Sequence, residues 1–167
     1  MLLDWWADQN VQRRHLWPGL YTSRLNPSDG NWRPDQIERQ VSLIRRVPEA
    51  KGEVHFSMKA IVNDWNGIRG PMRDRMYAAG AVVPASPWLD ETVPAAPAVV
   101  ANGLKLTLNS SDVDRRFFVI ARREHGRDIL VAQTAKSEWT LSQPGRYLVA
   151  VRDRAGNLGP AAEITVR

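Results

Sequence analysis

Four prolines fall within the fourteen residues 84–97, PASPWLDETVPAAP, and the hydrophobic pattern has a different period on either side of them. Proline fixes φ and has no N–H to donate, so neither a helix nor a central strand runs through such a stretch; it reads as an extended linker. The chain is therefore expected to divide into residues 1–83, a linker over 84–97, and residues 98–167.

Before the linker, short apolar runs alternate with segments of helical spacing. Leu3, Trp6, Ala7, Asn10 and Val11 lie on one face of a helix predicted over 2–12. Residues 15–24, HLWPGLYTSR, read as a strand running into a loop. Pro34 suits the first position of a helix, where its missing N–H would be unpaired anyway, and Ile37, Val41 and Ile44 stripe that helix through 34–47. A strand is predicted at 53–58, EVHFSM, followed by a loop-like KAIVNDWNGIRG. Pro71 opens a last helix, with Met72, Met76 and Ala79 on its buried face and Gly80 at its C-terminal cap. The order α-β-α-β-α indicates crossover connections and a parallel sheet. Two parallel strands cannot cover their own faces and edges. Residues 1–83 are thus expected to be a part, about a third, of an α/β structure whose full (β/α)8 form takes about 250 residues.

After the linker the period becomes two. Leu104, Leu106 and Leu108 alternate with Lys105 and Thr107, and apolar runs recur at 117–121, 129–132, 139–141, 147–151 and 164–166. Turn residues separate them at 109–114, 124–127, 143–145 and 153–160. Short strands at this spacing predict an antiparallel β-sandwich, with Tyr147 placed for a tyrosine corner. Trp139, the one tryptophan of this half, alternates as a core residue.

Composition narrows the partners. The net charge is +5, but residues 1–83 carry 12 Lys/Arg against 9 Asp/Glu and residues 98–167 carry 11 against 7, so no basic block marks a nucleic-acid footprint. No apolar run approaches the ~18 residues that span a membrane, and Asp4 and Asp8 stand where a signal peptide needs basic and then apolar residues. With no cysteine, thiolate chemistry is excluded. No cofactor motif is present: GIRGPMRDR lacks the context of a phosphate loop. His15 and His55 have no obvious third ligand, so no metal site is expected.

The segments LLDWWADQN, RHLWPGLYTSR, WRPDQIERQ and GEVHFSMKAIV resemble a mostly bacterial family of glycosyl-hydrolase-like (β/α)8-barrel proteins, over residues 2–90. GRYLVAVRDRAGNLGP looks like the late strands of the fibronectin-type-III-like module that often follows such barrels. The resemblance implies the last two barrel strands with their flanking helices, a missing N-terminal barrel portion, a periplasmic or extracellular parent, and a polysaccharide or glycan substrate. A mis-called start codon or a gene fragment would account for the missing portion.

In such barrels the chemistry sits at the C-terminal ends of strands and in the loops that follow. That rule selects Tyr21, Ser23, Arg24 and Trp32 after the first strand, and Ser57, Lys59, Asn63, Asp64 and Trp65 after the second. Trp32 and Trp65 are either stacking faces for sugar rings or packing for their own loops. Tyr21 and Ser57 are either substrate contacts or ordinary barrel residues. Glycoside hydrolysis uses two carboxyl groups. Asp29 and Asp64 lie on the right loops, but aspartate in such loops is usually a turn former or helix cap, so the catalytic residues are left unassigned. The expected function is that of the C-terminal fragment of a glycoside hydrolase, inactive alone. The alternative is a non-catalytic carbohydrate-binding or spacer module.

Overall fold

The computed structural model describes residues 2–167, which form two compact units, the first ending at Ala78 and the second comprising Ala79–Arg167.

The first unit contains helix α1 (Leu2–Asp8), strand β1 (Gly19–Leu20), a 3₁₀ turn over Thr22–Leu25, helix α2 (Pro34–Ile44), strand β2 (Val54–His55), helix α3 (Met58–Val62) and helix α4 (Arg69–Pro71), which widens into a π-type turn over Met72–Met76. β1 and β2 pair in parallel, Gly19 against Val54 and Leu20 against His55, with a further parallel bridge between Leu16 and Ala50. α2 is the connection between them. It starts at Pro34 as predicted; the Gln36 side chain accepts the Arg33 N–H, and Ile37, Val41 and Ile44 are its buried stripe. They pack with Leu20, Leu25, Ile68 and Met76 in the core of this unit.

Several elements differ from the sequence reading. α1 ends at Asp8 because the Asn10 amide bonds both the N–H and the carbonyl of Arg14, closing a turn where the helix was expected to continue. Of residues 15–24, two join the ladder as β1, and the chain then coils into the 3₁₀ turn around Leu25, which is fully buried. KAIVNDWNGIRG is not a loop: it carries α3, anchored by the buried Ala60. The last helix opens two residues before Pro71, with Asp64 accepting the Arg69 N–H, and stops at Met76. Tyr77 N–H bonds back to Met72 and its ring leaves toward β2, so Ala79 is exposed and Gly80 caps nothing.

The second unit has β3 (Ala98–Asn102), β4 (Lys105–Asn109), β5 (Arg115–Glu124), β6 (Arg127–Thr134), β7 (Glu138–Thr140), β8 (Gly145–Asp153) and β9 (Ala162–Val166). They form two antiparallel sheets, β3-β4-β7 and β6-β5-β8-β9. Leu106, Leu108, Phe118, Ile120, Leu141, Tyr147, Val149, Val151 and Val166 fill the core, with Trp139 packed at its margin. The Tyr147 hydroxyl donates to the Gln143 carbonyl at 2.8 Å, the corner expected from the sequence. β3 was not among the predicted strands; its signal is Asn102–Gly103, where Gly103, at φ +56°, and Leu104 form the two-residue hairpin turn into β4.

The proline-rich stretch lies along the second unit. Gln133 donates to the Ala81 carbonyl, and Ser86 N–H to the Ala155 carbonyl. Asn157 donates to the carbonyls of Asp90 and Thr92. A Cβ on Gly159 would fall 2.3 Å from the Pro94 carbonyl oxygen, so this approach requires glycine. Among the described residues, no helix is long and apolar enough to cross a membrane.

Candidate functional site at the carboxyl ends of the parallel strands

The parallel ladder extends past β1 and β2 by two bonds, Phe56 N–H to Leu20 O and Ser23 N–H to Phe56 O, both 2.8 Å. These set the residues after the two strands side by side. The Tyr21 and Phe56 rings stand 5.9 Å apart, tilted 55°. The Arg24 guanidinium lies 5.3 Å over the Tyr21 ring, within cation–π range. Ser23 Oγ accepts the Ser57 N–H at 3.1 Å and faces Ser57 Oγ at 3.4 Å. The ladder thus brings Tyr21, Ser23, Arg24 and Ser57 to one end.

The two following loops are tied together. Asn66 donates to Asn31 Oδ1 at 3.0 Å and to the Trp32 carbonyl at 2.8 Å. Trp32 and Trp65 are each half-buried against the core of the first unit, which leaves part of each indole open. Lys59 holds its ammonium 5.9 Å from the Trp65 ring. The loop carboxylates are engaged: Asp29 pairs with Arg24 at 3.2 Å, and Asp64 pairs with Arg69 while capping α4. The site therefore presents aromatic faces, hydroxyls and two cations, without a free carboxylate pair. That set can hold a ring of hydroxyls against an aromatic surface, with its two loop carboxylates held in ion pairs. Sequence reasoning missed Phe56 and Asn66. Phe56 was accessible from the alternation of Val54 and Phe56 about His55, whereas a bridging asparagine has no sequence signature.

On the opposite face of the strands runs a polar chain. Thr22, fully buried, meets His55 Nδ1 at 2.8 Å; His55 Nε2 meets the Tyr77 hydroxyl at 2.6 Å; and Tyr77 donates to Glu53 at 2.5 Å. Arg45 stands 4.0 Å from Glu53 and over the Tyr77 ring. With Tyr77 donating to Glu53, its oxygen accepts from His55 Nε2–H, so Nδ1 accepts from Thr22. Burial pushes the His55 pKa below its usual value against the opposing pull of Glu53, and burial followed by the Glu53 bond pushes the Tyr77 phenol well above its own. A histidine depressed in the folded state binds fewer protons there than when unfolded. Its contribution to stability is full above about pH 6.5 and is lost as pH falls through the lowered folded value. We expect wild-type stability to drop between pH 7 and 5 and His55→Gln to flatten that slope; denaturant melts at both pH values check it, and an unchanged slope in the variant would rule the assignment out. The other histidine considered, His15, stands edge-on to Trp17 at 6.4 Å. Among the described residues, no three metal-ligating side chains gather.

No protein-family model matches the chain. A curated relative, "Glycosyl hydrolase YngK" of Bacillus subtilis (strain 168), is 28% identical over 190 aligned positions, covering all of this chain and 37% of that protein. The chain thus spans little more than a third of that relative's length. Among solved structures, the fibronectin type-III domain of human fibronectin type III domain containing protein 3 matches with a TM-score of 0.31 and 16% identity, over 45% of this chain and 84% of that one. The PKD1 domain of the Vibrio cholerae metalloprotease PrtV matches with a TM-score of 0.25 and 19% identity, over 45% and 98%. The chain is therefore similar throughout its length to a glycosyl hydrolase.

Proposed function

We propose that the first unit is one wall of the cleft of a glycan-hydrolysing (β/α)8 barrel, acting on a polysaccharide or cell-wall glycan in an exported protein, and that the sandwich is its spacer. The observation that carries this reading is the uncovered side of β1 and β2. Leu20 and Thr22 are buried on one side, whereas Tyr21, Val54 and Phe56 on the other are 46%, 53% and 64% exposed. Apolar residues on both faces are the mark of parallel strands covered on both faces. In a barrel that second face looks inward, and the end bearing Tyr21, Ser23, Ser57, Trp32 and Trp65 is the end where substrates bind. The similarity to a glycosyl hydrolase supports a glycan as the ligand. The engagement of Asp29 and Asp64 favours carboxylates supplied by other strands, so this chain is inactive alone; the same engagement is what a purely non-catalytic binding or spacer module would show.

Two measurements separate these readings. In this chain, the face of Tyr21, Val54 and Phe56 should bind a hydrophobic dye such as ANS, and Val54→Ser with Phe56→Ser should remove more than half of the signal. Absence of dye binding by the wild type defeats the barrel-wall reading. In a polypeptide that joins this chain to the remaining strands of such a barrel, reducing ends should be released from cell-wall glycan, and Tyr21→Ala should lower kcat/KM about 10-fold or more, the scale of one lost polar contact. No release at all would leave the spacer reading standing.

A further inference from the structure

The chain holds two Asn–Gly dipeptides, Asn66–Gly67 and Asn102–Gly103. An asparagine in that setting has a nucleophile next to it. The following backbone nitrogen closes a five-membered ring on the side-chain carbonyl carbon, and glycine, without a Cβ, leaves that nitrogen unhindered. Exposure and space do not separate the two positions: both asparagines are exposed, and a Cβ on either glycine would meet nothing within 4 Å. Their hydrogen bonds do. Asn66 Nδ2 donates to Asn31 Oδ1 at 3.0 Å and to the Trp32 carbonyl at 2.8 Å, which uses both of its hydrogens. Gly67 N–H donates to the Asp64 carbonyl at 2.9 Å, so electrophile and nucleophile are both tied down. Asn102 ends β3, and Gly103 opens the turn into β4 at φ +56°. Among the described residues, neither the Asn102 side chain nor the Gly103 N–H has a hydrogen-bond partner. β3 is also the end strand of its sheet, paired there with β4 alone, so this tip opens without disturbing another ladder.

We propose that Asn102 is a site of spontaneous modification, in which the folded chain deamidates through a succinimide at Asn102–Gly103 and spares Asn66–Gly67, and that the product loosens β3. The Gly103 nitrogen, having lost its proton to solvent base, attacks Asn102 Cγ. The new C–N bond closes the ring, the Cγ–Nδ2 bond breaks, and the amide nitrogen leaves as ammonia with protons from solvent. Water then opens the ring at either carbonyl, which gives an aspartyl or an isoaspartyl residue; nothing is oxidised or reduced. The isoaspartyl form routes the main chain through the side-chain carbon and lengthens a turn whose two residues set the register of Asn102 against Lys105. Either form also adds a carboxylate opposite Lys105, where it competes with Glu138, the present partner of that lysine at 2.8 Å. The site belongs wholly to the second unit and does not depend on the barrel-wall reading of the first.

The test ages the intact chain in mildly alkaline buffer and follows both dipeptides by peptide mapping, reading the mass gain of amide-to-acid conversion. Asn102 should convert about 10-fold faster than Asn66 or more, the scale set by the hydrogen bonds that Asn66 and Gly67 must first break. In strong urea the two positions should convert at similar rates, which assigns the difference to the fold. Amide exchange over Ala98–Asn102 should accelerate in the aged chain and stay unchanged in Asn102→Gln aged alike, because glutamine does not close the five-membered ring. Equal rates at the two positions in the folded chain would overturn the selectivity, as would no conversion of Asn102 in the time that fully converts the unfolded chain. Conversion with unchanged exchange over Ala98–Asn102 would overturn the loosening of β3.

Discussion

Replacing Asn157 by alanine should loosen the proline-rich segment from the sandwich and lower the melting temperature of the second unit by about 10 °C or more. The two hydrogens of one side-chain amide are shared among three acceptors: the Asp90 carbonyl at 2.8 Å, the Thr92 carbonyl at 3.1 Å and Asp153 Oδ2 at 2.9 Å. Asp153 is itself buried, and its other oxygen accepts the Asn157 N–H. Alanine removes the amide and leaves a buried carboxylate oxygen and two carbonyls without their donor. A buried polar group left unpaired costs about 1–3 kcal/mol, and water reaching the segment returns part of that, so a net loss of about 2–3 kcal/mol is expected. In a unit of this size each kcal/mol corresponds to about 4–8 °C. Asn157→Asp should be at least as harmful, because it sets a second carboxylate against Asp153. Amide exchange at Ser86, which donates to Ala155, should accelerate in both variants. A melting temperature within a degree or two of wild type would mean that the segment holds without this clamp.

The second large effect is expected at Ile37. It is fully buried on α2, in the small core it shares with Leu20, Leu25, Val41 and Ile68. Ile37→Ala removes buried methyl groups and leaves a cavity, a change that costs about 2–5 kcal/mol. A small domain has only about 5–15 kcal/mol in all, and the first unit has a two-residue ladder and one uncovered sheet face. The variant should therefore lose most of the amide-exchange protection of α2 at 25 °C. Leu43, on the same helix but 41% exposed, supplies the control: Leu43→Ala should cost well under half as much. Equal losses at the two positions would show that α2 is not held through its buried stripe.

These two sites also mark the limits of what the sequence discloses. The stripe of Ile37, Val41 and Ile44 was legible because a helix of three turns repeats its signal every three or four residues. The alternation of Leu104, Leu106 and Leu108 was legible for the same reason at period two, and the Tyr147 corner followed from its position at a strand start. α3 was not legible, since five residues give too little periodicity to set against a polar, turn-forming neighbourhood. The grouping of Tyr21 with Ser57 followed from strand order alone, because parallel strands align their carboxyl ends. What joins distant residues through single polar atoms left no trace: Asn66 with Asn31, Tyr77 with His55, and Asn157 with Asp90. Such pairs have no period and no characteristic spacing, and any of the residues involved reads equally well as a solvated loop position.

The clamp at Asn157 has a consequence for where this module can be cut. A recombination or cloning boundary drawn at the first sandwich strand would carry off the acceptors of Asp90 and Thr92 and the chain packed over Gly159, leaving a transplanted sandwich with a wet, half-emptied flank. The compact unit begins at Ala79, so a stable graft of this sandwich has to include the proline-rich stretch.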